Sequence, residues 1–368
     1  MRAATGRVCW ARARWNRFGR RGYWAISGLP PPFDKKRFWM HDIVTIGLAL
    51  QPDHSFRRQV MYPNQRLGHR RGGFESDIMK PNSMEGSGAW TGIDLVPIPK
   101  GQFVMGSRDD NELAWEDEKP QHKLEIPYDY WIGKHPVTNA QFGEFVRSTA
   151  FETRAEGEGW GWVWDTSNGQ WGKEEGANWR NPLGTNSNVA VLGTHPVVQV
   201  CWYDALAFCE WLDQNHVHHL PQGYHFRLPS EAEWEKAARG AAGYEWPWGN
   251  DFDAALCNSR DGGEFRTTRV GAHSPQGDSI HGVADMSGNV WEWTLTLWGE
   301  DREKPDYLYP YVGDDGRENK RAGDGFFRII RGGSFKDDVR GVRCACRDLD
   351  PPYYSLNNLG FRVFAVPS

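Results

Sequence analysis

Residues 331–348, RGGSFKDDVRGVRCACRD, set two cysteines one residue apart among arginines near the end of a 368-residue chain. Side chains i and i+2 of an extended segment share a face, so Cys344 and Cys346 could bring two sulfurs to one soft metal ion. The same spacing would serve a redox centre, half of a disulfide framework, or plain burial, because free cysteine packs as a small hydrophobe. HVHH, residues 216–219, crowds His216, His218 and His219 together. It lies in a proline-flanked stretch after a helical pattern and reads as a solvated loop before it reads as a metal site. The six cysteines (Cys9, Cys201, Cys209, Cys257, Cys344, Cys346) are few for the length, and no secretory apolar segment precedes them. Reduced thiols and a cytoplasmic location are therefore expected.

The elements that must position these groups are read from periodicity and punctuation. IDLVPIPKGQFVMGS gives two short strands around Pro97 and Pro99, ending at Gly106. HKLEIPYDYWIGKHPVTNAQFGEFVRST gives a strand and then a helix, with Thr138 and Gln141 as a capping box and Phe142, Phe145 and Val146 on the apolar face. HPVVQVCWYDALAFCEWLDQN repeats the plan, with Asp204 as the expected N-cap and Ala205, Leu206, Cys209 and Leu212 on one side. FRLPSEAEWEKAARG starts a third helix at Ser230 and Glu233 and stops it at Gly240. Beyond Gly240 short apolar strands alternate with Gly, Asn, Asp and Pro turns, so the chain is α+β with an irregular, β-rich second half.

Composition supports that architecture. Twenty Trp, 42 Gly and 22 Pro indicate many turns and an aromatic-rich core, and no run of about 18 apolar residues is present to span a membrane. Charge is uneven: residues 1–75 carry a net +11, within a chain whose total is −5. The opening MRAATGRVCWARARWNRFGRRGYW interleaves arginine with aromatics, a pattern that suits nucleic acid, although a poorly ordered arm is the simpler reading. We therefore divide the chain into a basic N-terminal extension, residues 1–92, partly disordered or packed on the domain, and one domain, residues 93–368.

Read in order, IPKGQFVMGS, HPVTNAQFGEFV, GANWRNP, HPVVQVCWYDALAFCEWL, FRLPSEAEWEKAARG, WPWGN, DMSGNVWEW, RGGSF and LGFRV resemble the formylglycine-generating enzyme, or sulfatase-modifying factor, family. The resemblance spans roughly residues 93–366 and implies a C-type-lectin-like fold with little regular secondary structure. It does not by itself imply activity, because a fold is a scaffold for unrelated functions. Oxidases of the family carry two copper-binding cysteines directly after RGGS. Here that stretch is FKDDVRGV, without a cysteine, so copper is not expected. Cys344 matches a structural cysteine of the family, but the implied disulfide partners fall at Ala238 (for Cys344) and Val363 (for Cys209). The three-histidine iron site of the sulfoxide-synthase branch comes largely from an extra helical domain, which HVHH does not replace.

The resemblance implies calcium at DMSGNVWEW, with Asp285 and Glu292 as carboxylate ligands and the carbonyls of Gly288 and Val290 between them. Hard oxygens converging on a glycine turn suit that ion. The alternative is that Asp285 caps a turn and Glu292 pairs with an arginine. A second family site would begin at Asn258 and the carbonyl of Ser259, with Asp261 as a substitute ligand.

Residues 335–358 mix aromatic and polar side chains within a fixed frame, as recognition surfaces do. Phe335, Lys336, Asp337, Asp338, Cys346, Asp348, Asp350, Tyr353, Tyr354, Ser355, Leu356 and Asn357 are the expected ligand contacts. In spacing the segment resembles the variable stretch of C-type-lectin-fold proteins diversified by retroelements. The leading expectation is a calcium-stabilised, non-oxidase family member that binds a protein, peptide or other surface ligand. The alternative is a thiol oxidoreductase in which Trp291 and Ser334 line the substrate pocket and Cys344 and Cys346 hold the metal.

Overall fold

Pro97, Pro99 and Gly101 divide the first apolar run into two strands in the computed structural model of the chain, which describes residues 92–368. The basic extension and its nucleic-acid reading, and Cys9 with them, lie outside the described residues. Strand β1 is Leu95–Ile98 and β2 is Gly101–Met105, as the punctuation predicts. The single strand expected next is two, β3 (His122–Ile126) and β4 (Tyr130–Gly133), because Pro127 has no N–H to continue a ladder. Thr138 and Gln141 form the expected capping box at the head of α1 (Asn139–Thr149). Helix α2 (Arg154–Glu158) was not expected, although Thr153 and Glu156 cap it in the same way. A hairpin follows, β5 (Trp160–Asp165) and β6 (Gln170–Glu175).

Helix α3 (Trp202–His216) starts earlier than the sequence pattern places it. Asp204 is not its N-cap but its third residue, where it accepts the N–H of Cys201 at 2.9 Å and of Arg154 at 3.2 Å. Strand β7 is Tyr224–Arg227, and α4 (Glu231–Arg239) opens on the Ser230–Glu233 box and stops at Gly240, φ 63°. After Gly240 the described residues hold strands β8 (Trp291–Gly299), β9 (Phe327–Arg331), β10 (Arg347–Asp350), β11 (Leu359–Gly360) and β12 (Phe364–Pro367), and no α-helix.

Two four-stranded sheets carry the fold, in the orders β1–β4–β12–β7 and β10–β9–β8–β11, and two ribbons, β2–β3 and β5–β6, flank them. Placing β12 between β4 and β7 ties the last described strand to strands from the first half of the described residues. The main core joins Ile98, Phe103, Tyr130 and Ile132 to Trp234, Ala238, Cys344 and Phe364.

Helix α4 is charged in sequence and buried in the fold. EAEWEKAAR looks like a solvated helix, yet all nine residues are buried. Its glutamates survive burial because each meets an arginine: Glu231 with Arg347 at 2.8 Å, Glu233 with Arg227 at 2.7 Å, and Glu235 with Arg239 at 2.7 Å and with Arg331. A buried carboxylate without such a partner would be several kcal/mol unfavourable. These pairs therefore fix where the arginine-bearing strands β7, β9 and β10 sit against the helix.

Candidate functional site

The site is built from the turn that leaves β9. Gly332 and Gly333 adopt φ 100° and 71°, and a Cβ on Gly333 would lie 2.5 Å from the carbonyl oxygen of Gly341. Only glycine tolerates that conformation and that approach, so RGGS aims Ser334 inward. Arg331 holds the start of the turn through Glu235 and the carbonyls of Ala345 and Cys344, each at 3.0 Å. Asp337 then folds back onto the turn. Its Oδ2 accepts the Ser334 hydroxyl at 2.7 Å, the Ser334 N–H at 3.1 Å and the Trp291 indole N–H at 2.8 Å. Asn358 donates to the Ser334 oxygen at 3.0 Å. Ser334, Trp291 and Asp337 are only 0%, 4% and 3% exposed. The two residues expected to line a substrate pocket are thus saturated and covered by a carboxylate of the same chain.

Around this plug lies a half-buried aromatic face. Backbone hydrogen bonds from Trp162 to Ser355 and from Asn357 to Trp162, with Trp164 donating to Asn357 Oδ1 at 3.0 Å, fasten the β5–β6 hairpin to residues 353–358. Trp162 packs against Tyr354, which meets Tyr353 edge to face. Lys336 sits 4.9 Å from the Trp164 ring centre and 5.6 Å from that of Trp171, and Arg154 covers Tyr353 at 5.3 Å. Arg302 pairs with Asp348 at 3.5 Å. Asp350 is buried beside these charges, and one of its carboxylate oxygens has no hydrogen-bond partner. Burial, only partly offset by Arg302 and Lys336, pushes its pKa up to about 8.

Of the expected ligand contacts, the structure brings Lys336, Asp348, Asp350, Tyr353, Tyr354, Ser355 and Asn357 to this region. It places Phe335, Asp337, Cys346, Asp350, Ser355, Leu356 and Asn357 in the interior, where they support the face rather than present it. Asp338 turns elsewhere and pairs with Arg260 at 2.6 Å. Sequence reading missed Trp160, Trp162, Trp164, Trp171, Arg154 and Arg302. The signal was available in WGWVWDTSNGQW, where tryptophan at alternate positions before a polar turn marks one face of a hairpin.

The described cysteines form no disulfide, and all are buried. Cys344 packs in the main core with Ala238, the position of its implied disulfide partner, and burial pushes its thiol far above the ordinary range. A thiol held neutral is a poor ligand and a poor nucleophile. His216, His218 and His219 continue from the end of α3 into a short 3-10 turn, Val217–His219, with ring centres 4.1–6.3 Å apart. Among the described residues no three His, Cys, Asp or Glu side chains are placed to share a metal ion.

The calcium donors divide. Both oxygens of Glu292 are held by Arg362, at 2.7 Å each, and one also accepts the Trp234 indole N–H at 2.7 Å. Glu292 is therefore neutralised within the chain and does not fit as a calcium ligand. Gly288 offers its carbonyl to the N–H of Val290. Asp285 is half-buried at φ 54°, accepts the Gly271 N–H at 2.7 Å, and has its pKa pushed up to about 6 by desolvation. At the second location the side-chain oxygens of Asn258 and Ser259 are buried without partners, and Asn258 Oδ1 is the kind of hard donor calcium takes. Asp261 does not join it; its Oδ2 accepts the N–H of Val339 at 2.7 Å.

Residues 82–366 match the family described as sulfatase-modifying factor enzyme 1-like domain. The chain belongs to that family. This family member is 31% identical over 324 residues to the formylglycine-generating enzyme of Bos taurus, a match that covers 79% of this chain and 80% of the relative. It is 32% identical over 301 residues to the inactive C-alpha-formylglycine-generating enzyme 2 of Bos taurus, covering 73% and 87%. PvdO from Pseudomonas aeruginosa superposes with a TM-score of 0.55 at 23% identity, over 74% of this chain and 93% of that one, which shows the shared fold. An enzyme and an inactive relative match at nearly the same identity, so identity alone does not separate the two. Among the described residues no helix is long and apolar enough to cross a membrane.

Proposed function

We propose that this family member is a binding module without the family's oxidase chemistry, and that it engages a peptide or protein segment on the face made by Trp164, Trp171, Tyr353, Tyr354 and Lys336. The observation that carries the reading is Asp337, which lies three residues past Ser334 and satisfies both Ser334 and Trp291. A substrate entering that pocket would have to displace three hydrogen bonds to a buried carboxylate. The aromatic face needs no such rearrangement: its rings are rigid, half-exposed and bordered by both signs of charge, a combination that recurs at recognition surfaces. Lys336, Asp338, Asp348, Tyr353 and Tyr354 are the partly exposed positions of the 335–358 frame named as contacts, so among those contacts any diversification would fall on these five.

The test is selection of a phage-displayed random peptide library on the wild-type protein. Replacing Trp171 and Tyr354 by alanine is expected to weaken enriched peptides at least tenfold, which is about 1.4 kcal/mol, while the unfolding transition stays cooperative. Peptides that bind the double variant as tightly as the wild type would remove the face from consideration.

Calcium enters the proposal as a stabiliser, held at the second location by Asn258 Oδ1 and not by Glu292. A ligand bound only by the folded state at 100 times its Kd contributes about 2.7 kcal/mol. A chelator should then lower the melting temperature by roughly 5 °C or more. Asn258→Ala should abolish that response, whereas Glu292→Gln should destabilise the protein equally with and without calcium. A chelator shift that persists in Asn258→Ala would contradict the assignment.

A further inference from the structure

A cavity of about 460 Å³ shares no residue with the Ser334 turn or the aromatic face. It opens between the end of β2, the loop that carries Arg108 and Asn111, the residues just after α4, and the turn 245–250. Its volume lies within the range of small-molecule sites.

The charges that reach it are already balanced. Arg108 pairs with Asp110 at 2.6 Å, Arg239 with Glu235 at 2.7 Å, and Glu245 with Arg343 at 3.2 Å. An ionic ligand would therefore enter without a counter-charge, which costs free energy in a partly enclosed site. Hydrogen-bonding capacity is not exhausted in the same way. Asn111 is fixed by donating to Glu245 Oε1 at 2.9 Å and accepting from Leu113 N–H at 3.0 Å. Gln121 spends only its amide nitrogen, on Gly106, and Asn250 only its oxygen, on Glu245 N–H. That leaves an acceptor on Gln121 and a donor on Asn250, both residues that line the cavity together with Glu245. Trp246 adds an apolar wall, and its indole N–H is buried without an acceptor.

Alternating donors and acceptors, balanced charge and an indole wall are met together by a molecule whose hydroxyls both donate and accept and whose C–H face is apolar. We infer that this cavity is a binding site for a neutral saccharide of one or two rings. The site is independent of the peptide-binding face.

The test is a titration of the full chain, labelled with 15N-tryptophan, with D-glucose, D-galactose, D-mannose and N-acetyl-D-glucosamine up to tens of millimolar. The Trp246 indole signal is assigned by its loss in Trp246→Phe. At least one sugar should move that signal saturably, and Ala242→Trp, which fills the cavity from an exposed position, should weaken the response at least tenfold while leaving the other indole signals in place. If Ala242→Trp unsettles the fold, Gln121→Ala serves in its stead and should weaken the same titration. The inference is overturned if no sugar shifts the signal, if sodium phosphate shifts it with equal saturation, or if the folded variant binds as the wild type does.

Discussion

Replacing Glu235 by alanine should cost about 3–5 kcal/mol of stability, a loss on the scale of breaking a fully buried ion pair. Glu235 is completely buried and receives Arg331, Arg239 at 2.7 Å and the Gly106 N–H at 2.7 Å. Removing the carboxylate leaves two buried guanidinium groups facing each other without a counter-charge. Arg331 also positions the RGGS turn through the carbonyls of Ala345 and Cys344. The damage should therefore reach Ser334 and appear as lost protection from hydrogen exchange at residues 332–337. Chemical denaturation measures the stability term. As a control, Asp348→Asn, at a half-exposed pair with Arg302, should change stability by less than about 1 kcal/mol. Equal losses for the two variants would contradict the claim that the buried pairs organise the fold.

Asp350→Asn should do the reverse and stabilise the protein at neutral and alkaline pH. Burial raises the folded-state pKa of Asp350 from 3.8 to about 8, so between those values the folded chain holds a proton that the unfolded chain has released. Stability then falls as pH rises through this window, by up to about 1.4 kcal/mol per unit, and levels off above it. The charges that face Asp350 are Arg302, Asp348 and Lys336. The first and last soften the penalty without cancelling it. Asparagine keeps the shape and cannot ionise. The wild-type and variant stabilities should converge near pH 4 and separate by several kcal/mol at pH 8. Parallel curves would show that Asp350 is ionised in the folded protein at no cost. Glu318, Asp204 and Asp285 are raised by burial as well, so the difference between the two proteins carries the test rather than the wild-type curve alone.

What was legible in the sequence follows the range of the interactions. The boxes at Thr138–Gln141 and Ser230–Glu233 are three-residue patterns, and both helices begin where they predict. The family frame was legible because its motifs occur in order. The burial of α4 was not, because the arginines that neutralise it come from β7, β9 and β10, and β10 lies more than a hundred residues further along the chain. Glu292 illustrates the same limit: the sequence leaves open a calcium ligand or an arginine pair, and only the fold shows that Arg362 occupies its carboxylate. Asp337 counted in sequence as one more polar recognition residue. Its role emerged when the glycine turn brought Ser334 and Trp291 within reach of a single oxygen.

Copper stoichiometry measures the central claim most directly. The full chain is purified reduced, loaded with Cu(I) under anaerobic conditions, desalted, analysed for metal, and then supplied with oxygen and a cysteine-containing peptide. With no cysteine in the stretch after RGGS and Cys344 neutral in the core, copper should stay well below one per chain and no peptide aldehyde should form. One tightly held copper per chain, with peptide oxidised over many turnovers, would contradict the account.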